Sequence, residues 1–464
     1  MGVINSIKLF FYNMFSIHKN IAGHVGLVPF ESRDMCQEIH KWDEIYRNDK
    51  GMQFASVIAS EVARLATVEF GVEVNGKSNK AKDLENEIYN DLINKIVNRE
   101  ILKDLRKQLE YGCAYGSMLM KPTFDGKKIG VDFLKPNAYI PLEFDNDGNL
   151  ISVICLEFKV DGKYIYRREE VWTYDNGKYH IQNIAYKSTS YEAEGIKINL
   201  SDVYEWKDID EYVVIENIDK PLFSLFKYPS ANNIDIDSPL GVSVFSRSCD
   251  SLKKLDSAYD EFCTEVKNSK KILFMDEGLF QTGEPGAEIN NNTINIPSIV
   301  TLVNMGVDNQ PIYEFVPELR DVQYKSCLQM FIDTIAIQCG FDAGYFSFDN
   351  NTGGLKTATE VKVDQQRTLA TIADIQIELK NDIESLLDNI IYLLKYYGII
   401  PDDFEANYTI KYKDFNIDPN QEQERILKLI EKGIYPKWKY LVMFEGYTED
   451  EAKKLIDSIN KAEV

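Results

Sequence analysis

Histidine is scarce in this chain: His18, His24, His40 and His180 are the only four in 464 residues. None has a second His or Cys three or four positions on, the spacing that puts two metal ligands on one helix face. Each is therefore read as solvent-facing or locally hydrogen-bonded, and no bound metal is expected. The seven cysteines, Cys36, Cys113, Cys155, Cys249, Cys263, Cys327 and Cys339, are scattered and include no C-x-x-C pair. This excludes a disulfide framework and a zinc knuckle, and fits small buried side chains in a reducing compartment. No stretch approaches the roughly 18 uninterrupted apolar residues of a membrane span. Residues 1–17 are apolar and aromatic, but Lys8 is their one positive charge, Asn13 interrupts the run and no A-x-A site follows. An amphipathic helix is expected there rather than a signal peptide, and a cytosolic site of synthesis.

Basic residues are also in short supply, with 52 Lys and Arg against 74 Asp and Glu and a net charge of −22. Bulk charge of that sign excludes wrapping nucleic acid or coating an anionic membrane. There is no Cys/His finger, basic zipper or aromatic-studded sheet motif. Gly112-Cys113-Ala114-Tyr115-Gly116 contains neither GxGxxG nor GK[ST], so its small residues are read as close packing where a helix meets a strand. Asp145-x-Asp147-Gly148 imitates a calcium loop, but counting from Glu143 puts Ile154 at the twelfth position, where a carboxylate is required. It reads as a hairpin turn. The carboxylates form no distinctive pair, so no catalytic residue and no cofactor are predicted.

What is present is a globular composition, 44% hydrophobic and 12% aromatic, with length enough for about three domains. Residues 53–68 carry Phe54, Val57, Ile58, Val62, Leu65 and Ala66 at helical spacing, and residues 80–111 form a longer helical run. From 117 to about 186 the period becomes two, and Asp175-Asn176-Gly177 marks a hairpin. An irregular passage, 228–237, leads to Ser238 as N-cap and Pro239 at the first helical position. That helix is expected over 238–271, with a stripe of Val242, Phe245, Cys249, Leu252, Leu255, Tyr259, Phe262, Cys263 and Val266. Strand-like pieces follow in 272–316 around a polar loop, 281–293. A second helix, 317–339, buries Leu328, Phe331, Ile332 and Ile335 and stops at Gly340. After a loop, 341–354, a third helix is expected over 355–397 on a stripe of Leu369, Ile372, Ile375, Leu379, Ile383, Leu386, Ile390 and Leu394. Asp418-Pro419-Asn420-Gln421 reads as a capping box for a small helical C-terminal unit, and Thr448 to Glu451 repeats the device.

Residues 340–361, GFDAGYFSFDNNTGGLKTATEV, resemble the segment between the inner helices in portal proteins of tailed bacteriophages of Gram-positive hosts. WDEIYRNDKG at 42–51, YGCAYGSM at 111–118, SPLG at 238 and the ending at 433–456 occur in the order that family has, so the resemblance covers nearly the whole chain. It implies an α+β portal fold: a wing (1–237), a first stem helix (238–271), a clip (272–316), a second stem helix (317–339), a tunnel loop (340–354), a long helix returning to the wing (355–417) and a crown (418–464). It also implies a homo-oligomeric ring of about twelve subunits at the capsid portal vertex of the virion, assembled in the host cytoplasm, without a membrane. Its implied partners are double-stranded DNA in transit, the terminase large subunit, the head–tail adaptor, and the major capsid and scaffolding proteins.

Carried onto this sequence, the tunnel loop would present Asp349, Asn350, Asn351, Thr352, Gly353, Gly354 and Lys356 to DNA. Lys253, Lys254, Lys267, Lys270 and Lys271 are candidates for the stem channel, and Glu284, Glu288, Asn290, Asn291 and Asn292 for clip partner binding. Read without the resemblance, the loop is a helix–helix connection and each lysine a solvated charge among Asp250, Asp256, Asp260, Glu261 and Glu265. A tail or baseplate component and a carboxylate-dependent hydrolase stay open as alternatives.

Overall fold

The computed structural model describes residues 14–462 apart from 125, 127, 176, 192, 217, 219, 271, 277–299, 304–311, 349–364, 413–418, 446 and 448. The helices are α1 (Met14–His24), α2 (Arg33–Tyr46), α3 (Phe54–Ala66), α4 (Asp83–Ile96), α5 (Leu105–Tyr115), α6 (Cys249–Asn268), α7 (Asp321–Gln338), α8 (Gln366–Tyr396), α9 (Pro419–Glu431), α10 (Lys437–Phe444) and α11 (Glu449–Ala462). The expected run over 80–111 is thus two helices, with a π-helical turn at Val97–Leu102 between them. In α3 the buried face is Phe54, Ile58 and Val62 with four alanines, while Val57 points to solvent. Among the described residues no helix is long and apolar enough to cross a membrane.

Among the described residues the strands fall into four sheets. A hairpin meander joins β4 (Tyr139–Phe144), β5 (Leu150–Asp161), β6 (Tyr164–Asp175), β7 (Lys178–Ser188) and β8 (Ile196–Ile198), and β9 (Tyr212–Glu216) also pairs with β7. The Asp-Asn-Gly signal sits where expected, since Asp175 pairs with Lys178 and Gly177 has φ +78°. Asp145 is a turn residue too: its carboxylate accepts the amides of Asp147 (2.9 Å) and Asn149 (2.7 Å). A three-stranded sheet places β2 (Ser117–Phe124) between β10 (Ser224–Lys227) and β3 (Ile129–Leu134). β1 (Gly71–Lys77) pairs antiparallel with β14 (Glu405–Lys411). The segments 272–276, 300–303 and 312–315 form β11, β12 and β13; β11 is central, parallel to β12 and antiparallel to β13.

One large core runs from Met14 to Phe404 and collects most buried apolar side chains. Its spine is α8, 31 residues and about 46 Å long, packed on β10, β2 and α3. Of the expected stripe, Ile372, Ile375, Leu379, Ile383, Leu386, Ile390 and Leu394 are buried and Leu369, near the start of α8, is half-buried; residues 355–364 lie outside the described residues. Both inner helices end as their glycines require. After α7, Gly340 (φ +86°) donates to the Ile337 carbonyl and Phe341 to that of Ala336. After α8, Gly398 (φ +65°) and Ile399 repeat the pattern on Lys395 and Leu394.

The helix expected over 238–271 is shorter, and the reason is local. Ser238 Oγ accepts the amide of Leu240 (3.3 Å) in a turn, not a helix amide. The Val244 amide is given to the Cys113 carbonyl (2.9 Å), so the backbone of 238–245 is bound to the end of α5 and cannot coil. Gly116 and Gly241 make that approach possible, because a Cβ on Gly241 would lie 2.1 Å from the Gly116 oxygen. α6 starts only at Cys249, after a 3₁₀ turn at Ser246–Ser248. The second helix likewise begins at Asp321 rather than 317. The capping boxes proposed at 418 and 448, and an amphipathic helix over 1–13, fall outside the described residues.

Candidate functional site

α6 and α7 form an antiparallel pair, as contacts at both ends show. At one end Ser248 Oγ meets Cys339 Sγ at 3.4 Å in the core, where burial pushes the Cys339 thiol up to about 12. At the other end Arg320, just before α7, grips Glu265 near the close of α6, with its Nε 3.0 Å and its amide 3.1 Å from Oε1. Hydrogen bonding from Arg320 draws the Glu265 carboxyl down to about 2. Between them the Phe262 and Tyr324 rings lie 5.4 Å apart. Burial fades along the pair: Leu252, Leu255, Ile332 and Ile335 are buried, whereas Val266 and Val322 are exposed. The pair therefore leaves the core and projects.

Lys253, Lys254 and Lys267 are exposed on α6, with Lys270 just beyond its end, and among the described residues they form no ion pair. Helical geometry puts Lys253 and Lys267 within about 40° of each other but Lys254 about 100° from Lys253, so they do not form one row. Lys271 lies outside the described residues. So do Asp349, Asn350, Asn351, Thr352, Gly353, Gly354 and Lys356, and Glu284, Glu288, Asn290, Asn291 and Asn292.

The segment entering the loop is not free connection, as its helix–helix reading would have it, but a packed knot. Phe341, Tyr345 and Phe346 pack against one another in tilted and edge-to-face pairs at centroid distances of 4.9–5.0 Å, and Phe346 meets Phe54 of α3 at 5.1 Å. The Tyr345 hydroxyl donates to Glu61, which also takes two bonds from Arg64 (2.6 and 2.7 Å). Arg64, with Tyr345, lowers the Glu61 carboxyl, while burial foremost raises the Tyr345 hydroxyl. From α7, Gln329 accepts the Phe348 amide (3.1 Å) and Asp333 the Gly344 amide (3.1 Å). The loop closes where Asp342 accepts from Thr368 N (2.9 Å) and Oγ1 (2.8 Å) and from Arg367 N (3.3 Å). Thr371 Oγ1 donates to the Gly340 carbonyl (2.9 Å), and a Cβ on Gly340 would sit 2.6 Å from it. The sequence marks Gly340 as a helix stop, Phe54 as a helix position and 340–348 as part of a family-like stretch. It does not single out the contacts among them, or the parts of Glu61, Arg64, Gln329, Asp333, Thr368 and Thr371. The available signal was an α8 start, Gln365-Gln366-Arg367, without a capping side chain of its own.

The 48–52 turn is fastened to α6. Asp256 accepts the Met52 amide (3.0 Å) and Asn48 Nδ2 (2.8 Å), and Gly51 leaves room for its carboxylate. Burial raises the Asp256 carboxyl despite those bonds. Beside this contact runs a groove of about 1160 Å³, whose lining includes Met52, Tyr259, Phe262, Leu328, Met330 and Phe348.

Several carboxylates of the α+β body, on β5 and β6, are engaged with neighbouring cations on β2 and β6. Glu170 takes two 2.7 Å bonds from Lys121 and one from the Trp172 indole. Glu157 takes bonds of 2.8 and 3.1 Å from Arg168. Glu169 is raised by burial to about 7, held there against Arg167, but its side chain is wholly buried and out of reach of a substrate.

Against known proteins, a family model described as "Phage portal protein, SPP1 Gp6-like" matches residues 40–463. No curated protein matches. Two solved chains are similar at 10% identity over 92% of this chain and 98% of theirs: "Neck of empty GTA particle computed with C6 symmetry" (TM-score 0.44) and "Neck of native GTA particle computed with C12 symmetry" (TM-score 0.39). The family match takes in the 48–52 turn, the paired helices, the knot and the long α8 alike, and the chain belongs to the SPP1 Gp6-like family of phage portal proteins.

Proposed function

We propose that this portal protein works as a ring of about twelve copies whose central channel passes double-stranded DNA during packaging and ejection. In this reading α6 and α7 are the stem, residues 272–316 the clip that docks the terminase and later the head–tail adaptor, 349–356 the DNA-facing part of the tunnel loop, and 418–464 the crown. The remaining α+β body forms the wing. ATP hydrolysis belongs to the terminase, and this chain supplies conduit and platform.

The observation that supports it best is the second apolar face of α7. One stripe, Leu328, Ile332 and Ile335, is buried within the chain. Another, Val322, Met330 and Ile337, spans an arc of about 80° on the far side and is exposed, at 70%, 59% and 40%. A helix apolar on two sides is built to be covered on both, and in a closed ring each copy meets two neighbours. The charge fits as well: −22 per chain gives on the order of −260 for the ring, which disfavours tight binding by counterion release.

Size measurement with negative-stain microscopy of the full-length chain tests the ring. Closed rings with a central channel are expected, and a protein that stays monomeric at every concentration would refute it. For the loop, deleting Asn350–Gly353 should impair DNA packaging or retention, and unaltered packaging would remove its assigned role.

A further inference from the structure

Helix spacing gives His18 no second ligand, yet the fold brings two to it from 13 and 18 positions away. His18 lies on α1, Glu31 in the connection to α2, and Cys36 in the first turn of α2. His18 Nδ1 is 2.6 Å from Glu31 Oε2, and Cys36 Sγ is 3.6 Å from the same oxygen. The donor atoms all lie within 4.8 Å of one another. The residues are 0%, 4% and 2% exposed, and Ile17, Ile21, Met35 and Ile39 beside them in sequence are buried as well. Of the two forms expected for His18, solvent-facing or locally hydrogen-bonded, the structure shows the second, buried against Glu31.

We propose that His18, Glu31 and Cys36 form a binding site for one divalent transition-metal ion, zinc by its donor set, which fastens α1 to α2. Three observations carry this. Imidazole nitrogen, carboxylate oxygen and thiolate sulfur together are the mixed set that zinc accepts. Charge balances in the core: an ion of +2, one carboxylate and one thiolate sum to zero beside a neutral imidazole, so no net charge is buried. The geometry is close to what is needed, because tetrahedral N and O ligands lie about 3.3 Å apart. The sulfur–oxygen distance already suits, and the His18–Glu31 pair has to open by roughly 0.7 Å. On binding, the Cys36 thiol proton leaves to solvent, Nδ1 of His18 offers its lone pair, and the imidazole proton resides on Nε2.

The test uses the full-length chain, stripped with a chelator and titrated with Zn²⁺, and with Co²⁺ as a coloured stand-in. One ion per chain is expected, with a rise in melting temperature and, for Co²⁺, a sulfur-to-metal charge-transfer band. Cys36→Ser should abolish that band and weaken binding by roughly 100-fold or more; Glu31→Gln should weaken binding and keep the band. A wild-type chain that takes up neither ion in excess overturns the proposal, whatever the variants do. So does binding that Cys36→Ser leaves unchanged. In either event the triad is a hydrogen-bonded polar anchor only.

Discussion

Asp342 and Thr368 cap each other across a separation of 26 residues. Thr368 gives its amide and hydroxyl to the Asp342 carboxylate (2.9 and 2.8 Å), and Asp342 returns its own amide to the Thr368 hydroxyl (3.0 Å). This is the reciprocity of a capping box, divided between the two ends of a loop.

Asp342→Ala should cost about 1–2 kcal/mol, the range for a lost N-cap, read by denaturant unfolding. It should also speed hydrogen exchange at the Arg367 and Thr368 amides, while Asp342→Asn recovers part of both. Unchanged exchange at those amides would show that the clasp does not hold the helix start.

Gly241→Ala should cost roughly 3 kcal/mol or more, or prevent folding, because its Cβ would meet the Gly116 oxygen at 2.1 Å. Gly23→Ala, with nothing within 4 Å, is the control that should behave as wild type in expression and thermal unfolding. Similar behaviour of the two variants would contradict the backbone clamp.

Asp382, on α8, has one carboxylate oxygen bonded to Ser224 (3.1 Å) and the other buried without a partner. Burial foremost, and Glu378 next, raise its carboxyl well above the ordinary value. A group with a raised folded pKa contributes stability that is full below its unfolded value and is lost as pH rises through the folded one. Asp382→Asn should therefore raise the melting temperature at neutral pH by roughly 1–3 °C, with the difference vanishing in acid. Equal melting differences at both pH values would count against it.

Glu265 reverses that sign. Its carboxyl, drawn down by Arg320, contributes above the unfolded value, and the contribution is lost as pH falls through about 2. Because Arg320 is exposed and Glu265 half-buried at the surface, carboxyl NMR is the sensitive measurement. Arg320→Ala should return the Glu265 titration to the ordinary range and barely move the melting temperature. A titration still near 2 would assign the shift to another group.

Val322→Glu combined with Met330→Glu should leave the folded chain intact, since both side chains are exposed, yet abolish rings in negative stain. Normal rings from this variant would place the contact between copies elsewhere.

Signals confined to a few residues were legible in the sequence. Gly340 and Gly398 ended their helices, Asp145 and Gly177 made their turns, and the stripe from Ile372 to Leu394 entered the core. Ser238-Pro239 misled because a helix start is a local pattern, whereas the amides after it are claimed by α5 through Gly116 and Gly241. The Asp342 clasp, the Asp256 bonds to the 48–52 turn and the Glu31 bonds to His18 and Cys36 join residues 5 to 208 positions apart. No helical or strand period encodes such pairings, so only the fold discloses them.

The pairing of β1 with β14 sets an order of events during synthesis. Gly71–Lys77 leaves the ribosome about 330 residues before Glu405–Lys411, a wait on the order of 20–60 s at typical elongation rates. Throughout that interval β1 lacks the strand it pairs with, and α8, which covers β2 and β10, is also still to come. A ribosome-bound chain is therefore an incomplete body, with open strand edges that favour mispairing. Completion of this sheet therefore waits on a strand made more than 300 residues later, and a chain terminated before residue 405 leaves β1 without its partner.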